Sequence, residues 1–284
     1  MERIDADLTR DIRALTINQG ASLVGIATPE RFDGAPKGHH PRDIVEGSRS
    51  IVTFGIRIPW LASNWPALTM AAESEILHPE ARSDYLQNYF YKSVGYDFIN
   101  ERLNQIALVL TNFLEDRGYT SIYFPATYGE THGRFMEMTK NSGFGPFSQR
   151  HAAVLSGLAE FGLNNVAVTP QYGPRIRFNS VITEAPLEPN SLLKEKVCLG
   201  ESCGICADEC TPGAISLLPD NDSEAFWLSP PARTDVSRCR ENRGPCYCYG
   251  KCIRVCPVGQ RGNVTPFSLN IPPSTPNSKD YERS

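Results

Sequence analysis

The first 197 residues of this 284-residue chain contain no cysteine. Disulfides and thiolate metal sites are therefore excluded from more than half of the chain. Histidine is scarce as well, with five residues in all, which leaves few candidates for imidazole ligation. No stretch approaches the roughly 18–20 apolar residues that a membrane helix needs, so no membrane partner is expected. Basic charge is not concentrated anywhere, and the net charge is -4, which argues against a nucleic-acid binder. The opening Met-Glu-Arg-Ile-Asp-Ala-Asp-Leu has neither the basic start nor the apolar run of a secretory leader, and no twin-arginine pair, so a cytoplasmic location is expected. The remaining composition, 40% hydrophobic and 21% charged, is that of an ordinary globular protein with one large domain or two modest ones.

All nine cysteines fall between Cys198 and Cys256. In a cytoplasmic chain, such density points to metal or redox chemistry rather than to a disulfide framework. The first group reads Cys198-Leu-Gly-Glu-Ser-Cys203-Gly-Ile-Cys206-Ala-Asp-Glu-Cys210-Thr-Pro. The second reads Cys239-Arg-Glu-Asn-Arg-Gly-Pro-Cys246-Tyr-Cys248-Tyr-Gly-Lys-Cys252-Ile-Arg-Val-Cys256-Pro. Closely spaced thiolates grip three corners of one iron-sulfur cube, and the last cysteine, beside a proline, ligates the other cube. This pattern assigns Cys198, Cys203, Cys206 and Cys256 to cluster one. Cluster two takes Cys210, Cys239, Cys248 and Cys252, with Cys248 favoured over Cys246 by its shorter reach to Cys252. Structural zinc sites more often show paired Cys-x-x-Cys knuckles, which this spacing does not.

The cysteine-free part alternates helical and extended signals. Ile4, Leu8, Ile12 and Leu15 share one helical face, and Phe98 to Leu114 form a long amphipathic helix stopped at Gly118. Helix is also expected over 148–161, ending at Gly162. Strands are expected at 51–56, 121–124, 166–168 and 176–182, the last two separated by a turn over 170–174. This mixture implies an α/β (or α+β) core. The polar, proline-rich stretch after Gln260 reads as a surface tail.

The stretch Arg150-His-Ala-Ala-Val-Leu-Ser-Gly-Leu-Ala-Glu-Phe-Gly-Leu163, then Val168-Thr-Pro-Gln-Tyr-Gly-Pro-Arg-Ile-Arg177 and Thr183-Glu-Ala-Pro-Leu187, resembles the core of the reductive dehalogenase and epoxyqueuosine reductase superfamily. The cysteine module in the same order, with its Asp235-Val-Ser-Arg-Cys239 lead-in, is similar to that superfamily too. The resemblance covers residues 90 to 260 best. It implies a nitroreductase-like cobalamin-binding domain over 1–190, a ferredoxin-like domain with two 4Fe-4S clusters over 191–262, and a tail over 263–284. It also implies a base-off corrinoid without a protein ligand to cobalt. The lack of an Asp-x-His-x-x-Gly motif agrees with this. Electrons from an external donor such as a ferredoxin or flavodoxin would pass through the clusters to cobalt and reduce a small organic substrate. Epoxyqueuosine reductases carry an aspartate proton donor shortly before the glycine-rich helix. Here the matching Asn141-Ser-Gly-Phe-Gly145 has no carboxylate, which speaks against that activity, and nucleic-acid binding is expected only if the substrate is tRNA-borne.

On this resemblance the candidate cofactor contacts are Tyr172, Gly173, Arg175, Arg177 and Gly162, although Gly and Pro in 172–174 also make a plain turn. Tyr128, supported by Arg175 or Arg177, is the candidate proton donor; a half-buried loop aromatic is the favoured reading of the same residue. His151 reads as a capping or surface residue, and Asn141, Phe144 and Phe147 as candidate cavity lining. The aromatic run Tyr85, Tyr89, Phe90, Tyr91 and Tyr96 suits either a macrocycle or a packed helix face. Two other readings are an electron-transfer or corrinoid-handling protein without its own substrate, and a flavin-binding iron-sulfur enzyme.

Overall fold

The computed structural model describes residues 4–67, 86–127, 145–216, 234–235, 238–239 and 250–260, without the side chains of residues 87 and 88. Helix α1 (Ala6–Asn18) starts where the Asp5 carboxylate accepts the Leu8 N–H at 2.8 Å, an N-cap that satisfies one orphan donor. It buries Leu8 and Ile12 but leaves Ile4 outside the helix and half exposed. Strands β1 (Leu23–Ala27) and β2 (Ser50–Arg57) follow, then the one-turn helices α2 (Pro41–Ile44), which lies between those strands, and α3 (Trp60–Ser63). A π-helix over Gln87–Asp97 runs directly into α4 (Phe98–Glu115). Gly118, at φ +85°, ends that helix in the left-handed conformation glycine tolerates.

Strand β3 (Ser121–Tyr123), helix α5 (Gln149–Leu155), the strand pair β4 (Glu160–Phe161) and β5 (Ala167–Val168), and β6 (Ile176–Thr183) complete the first part. The main sheet has the order β1-β2-β6-β3. Every pairing in it is antiparallel. The fold is therefore α+β, which settles the two alternatives left by the sequence. β2 and β3 run in the same direction, but β6 lies between them and pairs antiparallel with both, so no two neighbouring strands are parallel.

Both faces of the sheet are covered, which is why β2 and β6 read as nearly unbroken buried runs. On one face Val52, Phe54 and Val181 pack with Ile12, Leu103, Ile106 and Leu110. On the other, Ile51 and Ile182 meet Phe32, Phe147, Ala152 and Leu155. The helix expected over 148–161 stops at Leu155. Gly157 takes φ +72° there, and a Cβ on it would meet the Ser191 carbonyl at 2.1 Å. Residues 160–161 leave the helix to form β4 instead.

The described cysteine-bearing segments are short and irregular. They include α6 (Ile205–Asp208), an isolated bridge between Ile215 and Thr234, and α7 (Lys251–Val255). Left-handed glycines precede both helices, Gly204 at φ 59° and Gly250 at φ 75°. An ion pair of 2.6 Å from Lys251 to Glu209 joins the two. Among the described residues no helix is long and apolar enough to cross a membrane. The tail after Gln260 lies outside the described residues.

Candidate functional site

Four thiols from the module lie near enough to influence one another electrostatically. Burial, and then the nearby thiols of Cys198, Cys256 and Cys203, push the Cys206 thiol up to about 12. Burial also raises Cys256, opposed by the Val258 backbone and Arg175, and Cys256 feels both Cys198 and Cys203. These four are the cysteines that spacing groups as cluster one. Burial thus favours the neutral thiol at Cys206 and Cys256, and only a strongly electropositive centre makes thiolates tenable there. Among the described residues no three His, Cys, Asp or Glu side chains are set to hold a single ion. A 4Fe-4S cube takes its thiolates at four separate iron corners, so it suits a wider set than tetrahedral zinc does. Cys210 has its sulfur on the Ala214 N–H at 3.2 Å, and Cys239 lies one short turn after Asp235. Cys246 and Cys248 lie outside the described residues.

The first domain grips this module along two lines. At the β4–β5 turn, the Leu163 N–H points at the Cys198 sulfur at 3.5 Å, Glu160 accepts the Cys198 N–H, and Asn164 donates to the Cys252 carbonyl. At the start of β6, the Arg175 guanidinium donates to the carbonyls of Val258 (2.8 Å), Arg254 (3.0 Å) and Cys256 (2.5 Å). The turn before it, Tyr172-Gly173, touches the backbone of Val258-Gly259. A Cβ on Gly173 would stand 2.0 Å from the Val258 oxygen, and one on Gly259 would stand 2.2 Å from the Tyr172 carbonyl carbon.

Two residues further along β6, about 7 Å of strand rise, the surroundings become a buried polar cluster. The β3 pairing covers β6 only from Thr183 back to Val181. Alongside Asn179 and Arg177 there are side chains in place of a strand. Arg177 binds the Asn100 side-chain oxygen and lies over the Tyr96 ring, 3.7 Å from its centroid. The Tyr96 hydroxyl meets that of Thr127 at 2.9 Å. Asn179 donates to Asn104 and accepts from Gln149, and Asn104 also accepts the Ala126 N–H. Asn100 and Asn179 are almost wholly buried. The Asn100 amide nitrogen and the Gln149 amide oxygen are nevertheless buried with no partner among the described residues. Such groups cost about 1–3 kcal/mol each if left unmet. A row of amides with spare donors and acceptors fits the amide-rich rim of a corrinoid.

The sequence-predicted residues divide accordingly. Arg177 stands in the polar cluster. Arg175, Gly173 and Tyr172 are spent on the cysteine-bearing backbone. Gly162 sits in the β4–β5 turn, its N–H on the Val166 carbonyl, where a Cβ would strike Val168 at 2.6 Å. Tyr128, Asn141, Phe144 and Tyr85 lie outside the described residues. Two expectations need correction. Phe147 is core, stacked against Phe32 and Phe124, because the loop turns its ring into the sheet face. His151 is buried rather than on the surface, with Nδ1 at 2.6 Å from the capping Ser148 hydroxyl and its ring edge-on to Phe161.

The same combination of sequence and fold occurs in known proteins. No family model matches the chain. Over 126 residues it is 29% identical to the tetrachloroethene reductive dehalogenase of Sulfurospirillum multivorans, covering 39% of this chain and 23% of that protein. Over 119 residues it is 33% identical to the tetrachloroethene reductive dehalogenase of Desulfitobacterium hafniense, covering 37% of this chain and 21% of that protein. An epoxyqueuosine reductase solved with a modified tRNA stem loop superposes with a TM-score of 0.57 at 17% identity, over 89% of this chain and 65% of the other. A reductive dehalogenase, whose structure suggested a mechanism for B12-dependent dehalogenation, superposes with a TM-score of 0.58 at 19% identity, over 91% of this chain and 33% of the other. Over these stretches the chain is similar to members of the reductive dehalogenase and epoxyqueuosine reductase superfamily. It spans less than a quarter of the curated dehalogenases it matches.

Within this superfamily fold, sequence reasoning missed Asn100, Asn104, Asn179, Gln149 and Glu160. One signal was present. Asn100, Asn104, Ala107 and Thr111 form an i, i+3/i+4 row beside Leu103, Ile106 and Leu110, so amides interrupt the apolar helix face at its N-terminal end. Glu160 carried no comparable signal, because its partner is a backbone N–H distant in sequence.

Proposed function

We propose that the chain is an oxidoreductase in which electrons from a donor such as a ferredoxin or flavodoxin cross two 4Fe-4S clusters to a base-off cobalamin beside β6, where a small organic molecule is reduced. The observation that carries this reading is an adjacency. The cysteine-bearing segment at Cys256 and the buried polar cluster with unmet amides meet neighbouring residues at the start of β6, Arg175 and Arg177. Cys198, Cys203, Cys206 and Cys256 would hold cluster one, and Cys210, Cys239, Cys248 and Cys252 cluster two. Asn100, Gln149, Asn104, Asn179 and Arg177 would hold the corrinoid. When bound, the corrinoid supplies a low-valent metal able to reduce a carbon–halogen or carbon–oxygen bond.

The protein's own groups do the rest. The buried amides would orient the macrocycle and exclude water from its edge. Arg177, fixed between Asn100 and the Tyr96 face, presents a permanent positive charge to an anionic group. Tyr128 directly follows Thr127, whose hydroxyl is paired with Tyr96, and is the proposed proton donor. Arg175, with its fork on three carbonyls, supports the cysteine segment in this scheme rather than the substrate. The segment 141–145 offers no carboxylate, which favours a small halogenated or oxygenated molecule over epoxyqueuosine, in a cytoplasmic setting.

The test is turnover under anaerobic conditions. The protein is isolated without corrinoid, reconstituted with cobalamin, reduced chemically and offered a panel of aryl and alkenyl halides and epoxides. Cobalamin-dependent product supports the reading. A fully cluster-loaded protein that stays inert with cobalamin, yet reduces a protein partner, would show a carrier instead.

A further inference from the structure

The turn Tyr172-Gly173-Pro-Arg175 faces the far end of the cysteine module, and its chemistry is that of a helix cap. Helix α7 carries Cys252 and delivers Cys256 immediately after its last turn. The last carbonyls of any helix lack partners within it and attract positive charge. Here Arg175 takes the carbonyls of Arg254, Cys256 and Val258. Gln260 adds its amide to the Cys256 carbonyl at 3.0 Å. Arg175 is only 3% exposed, so its charge is poorly screened by water. The reciprocal close approach of Gly173 and Gly259 leaves no slack in the contact.

Resting on the proposed cluster-one ligand set, we infer that Arg175 is a positioning residue for cluster one. It fixes Cys256, the ligand that comes from the far end of the module, and its buried charge holds the reduction potential of that cluster up. The sign follows from charge. A reduced cluster is more negative than an oxidised one, so a fixed cation nearby stabilises the reduced form and raises the potential. An arginine placed to bind substrate would leave both clusters untouched when replaced. An arginine that caps α7 changes one cluster and spares the other.

The experiment is an EPR-monitored redox titration of the full chain, with iron analysis, on wild type, Arg175→Lys, Arg175→Gln and Arg31→Gln. Arg31 is the control. It also clamps two backbone carbonyls, those of Leu155 and Asn190, but touches no cysteine segment. The expected result has four parts. Arg175→Gln moves one cluster to a more negative potential or loses a cluster's worth of iron. The second cluster is unchanged. Arg175→Lys keeps most of the potential but yields a broadened or partly lost cluster-one signal. Arg31→Gln leaves both clusters as they were. Unchanged potentials and iron in Arg175→Gln, or an equal effect in Arg31→Gln, would overturn the inference. If Arg175→Gln does not fold, the loss of iron from Arg175→Lys decides the same point. A wild-type protein that assembles no clusters would instead count against the proposed function.

Discussion

Replacing Gly173 with alanine perturbs the contact between the two halves of the proposed electron route at a single atom. Gly173 has φ +57°, and a new Cβ would stand 2.0 Å from the Val258 oxygen and 2.7 Å from its carbonyl carbon. The backbone strain alone costs about 1–2 kcal/mol for an L residue in the left-handed region. The overlap adds about 1–3 kcal/mol and must be relieved by moving Val258, since backbone cannot rotate away as a side chain can. Moving Val258 breaks its 2.8 Å bond from Arg175 and displaces the segment that begins at Cys256. Gly118 isolates the two terms. It has φ +85° but nothing within 4 Å of the site of a Cβ, so Gly118→Ala carries the strain without the clash. The assay is the rate at which an iron chelator bleaches the cluster absorbance anaerobically, alongside thermal denaturation. Both variants should lower the denaturation midpoint, Gly173→Ala more than Gly118→Ala. Only Gly173→Ala should make one cluster labile while the other bleaches at the wild-type rate. Equal, wild-type bleaching in both variants would refute the claim that this turn holds Cys256.

Glu160→Gln keeps an oxygen for the Cys198 N–H but removes a negative charge beside the same thiol set. Cluster one should shift to a more positive potential in the same redox titration, the reverse of Arg175→Gln. Arg177→Gln removes a cation from the Tyr96 face; with about 1–2 kcal/mol at stake in a desolvated site, cobalamin binding should weaken roughly five- to thirtyfold, read by spectral titration. Leu103, fully buried beneath the sheet, should cost about 2–5 kcal/mol as Leu103→Ala, seen as a lower denaturation midpoint with unchanged cluster spectra.

Much of the scaffold was legible because it follows periodicity. The Phe98–Glu115 helix and the strands at 50–57 and 176–183 bury continuous or regularly spaced apolar residues, and those patterns survive in sequence. The proximity of Cys198, Cys203, Cys206 and Cys256 was legible for a different reason, since spacing alone groups them. Two features were not readable. The π-helix over Gln87–Asp97 has no distinctive residue pattern, because an extra residue per turn shifts contacts without changing composition. The role of Arg175 depended on what lies across from it. A turn of Gly, Pro and Arg beside a cofactor and a turn that caps a remote helix look alike in one dimension. The short helix at 149–155 was over-read because alanine and leucine continued past Gly157, where contact with Ser191 forced the chain to turn.

The central claim is that one chain unites two iron-sulfur clusters with a corrinoid. Its most direct test is the metal and cofactor content of the anaerobically prepared, cobalamin-supplied protein, read together with its visible and EPR spectra. The account predicts about eight iron and one corrinoid per chain, the corrinoid in its base-off form. Zinc in place of iron, a single cluster, or a bound flavin with no corrinoid would contradict it.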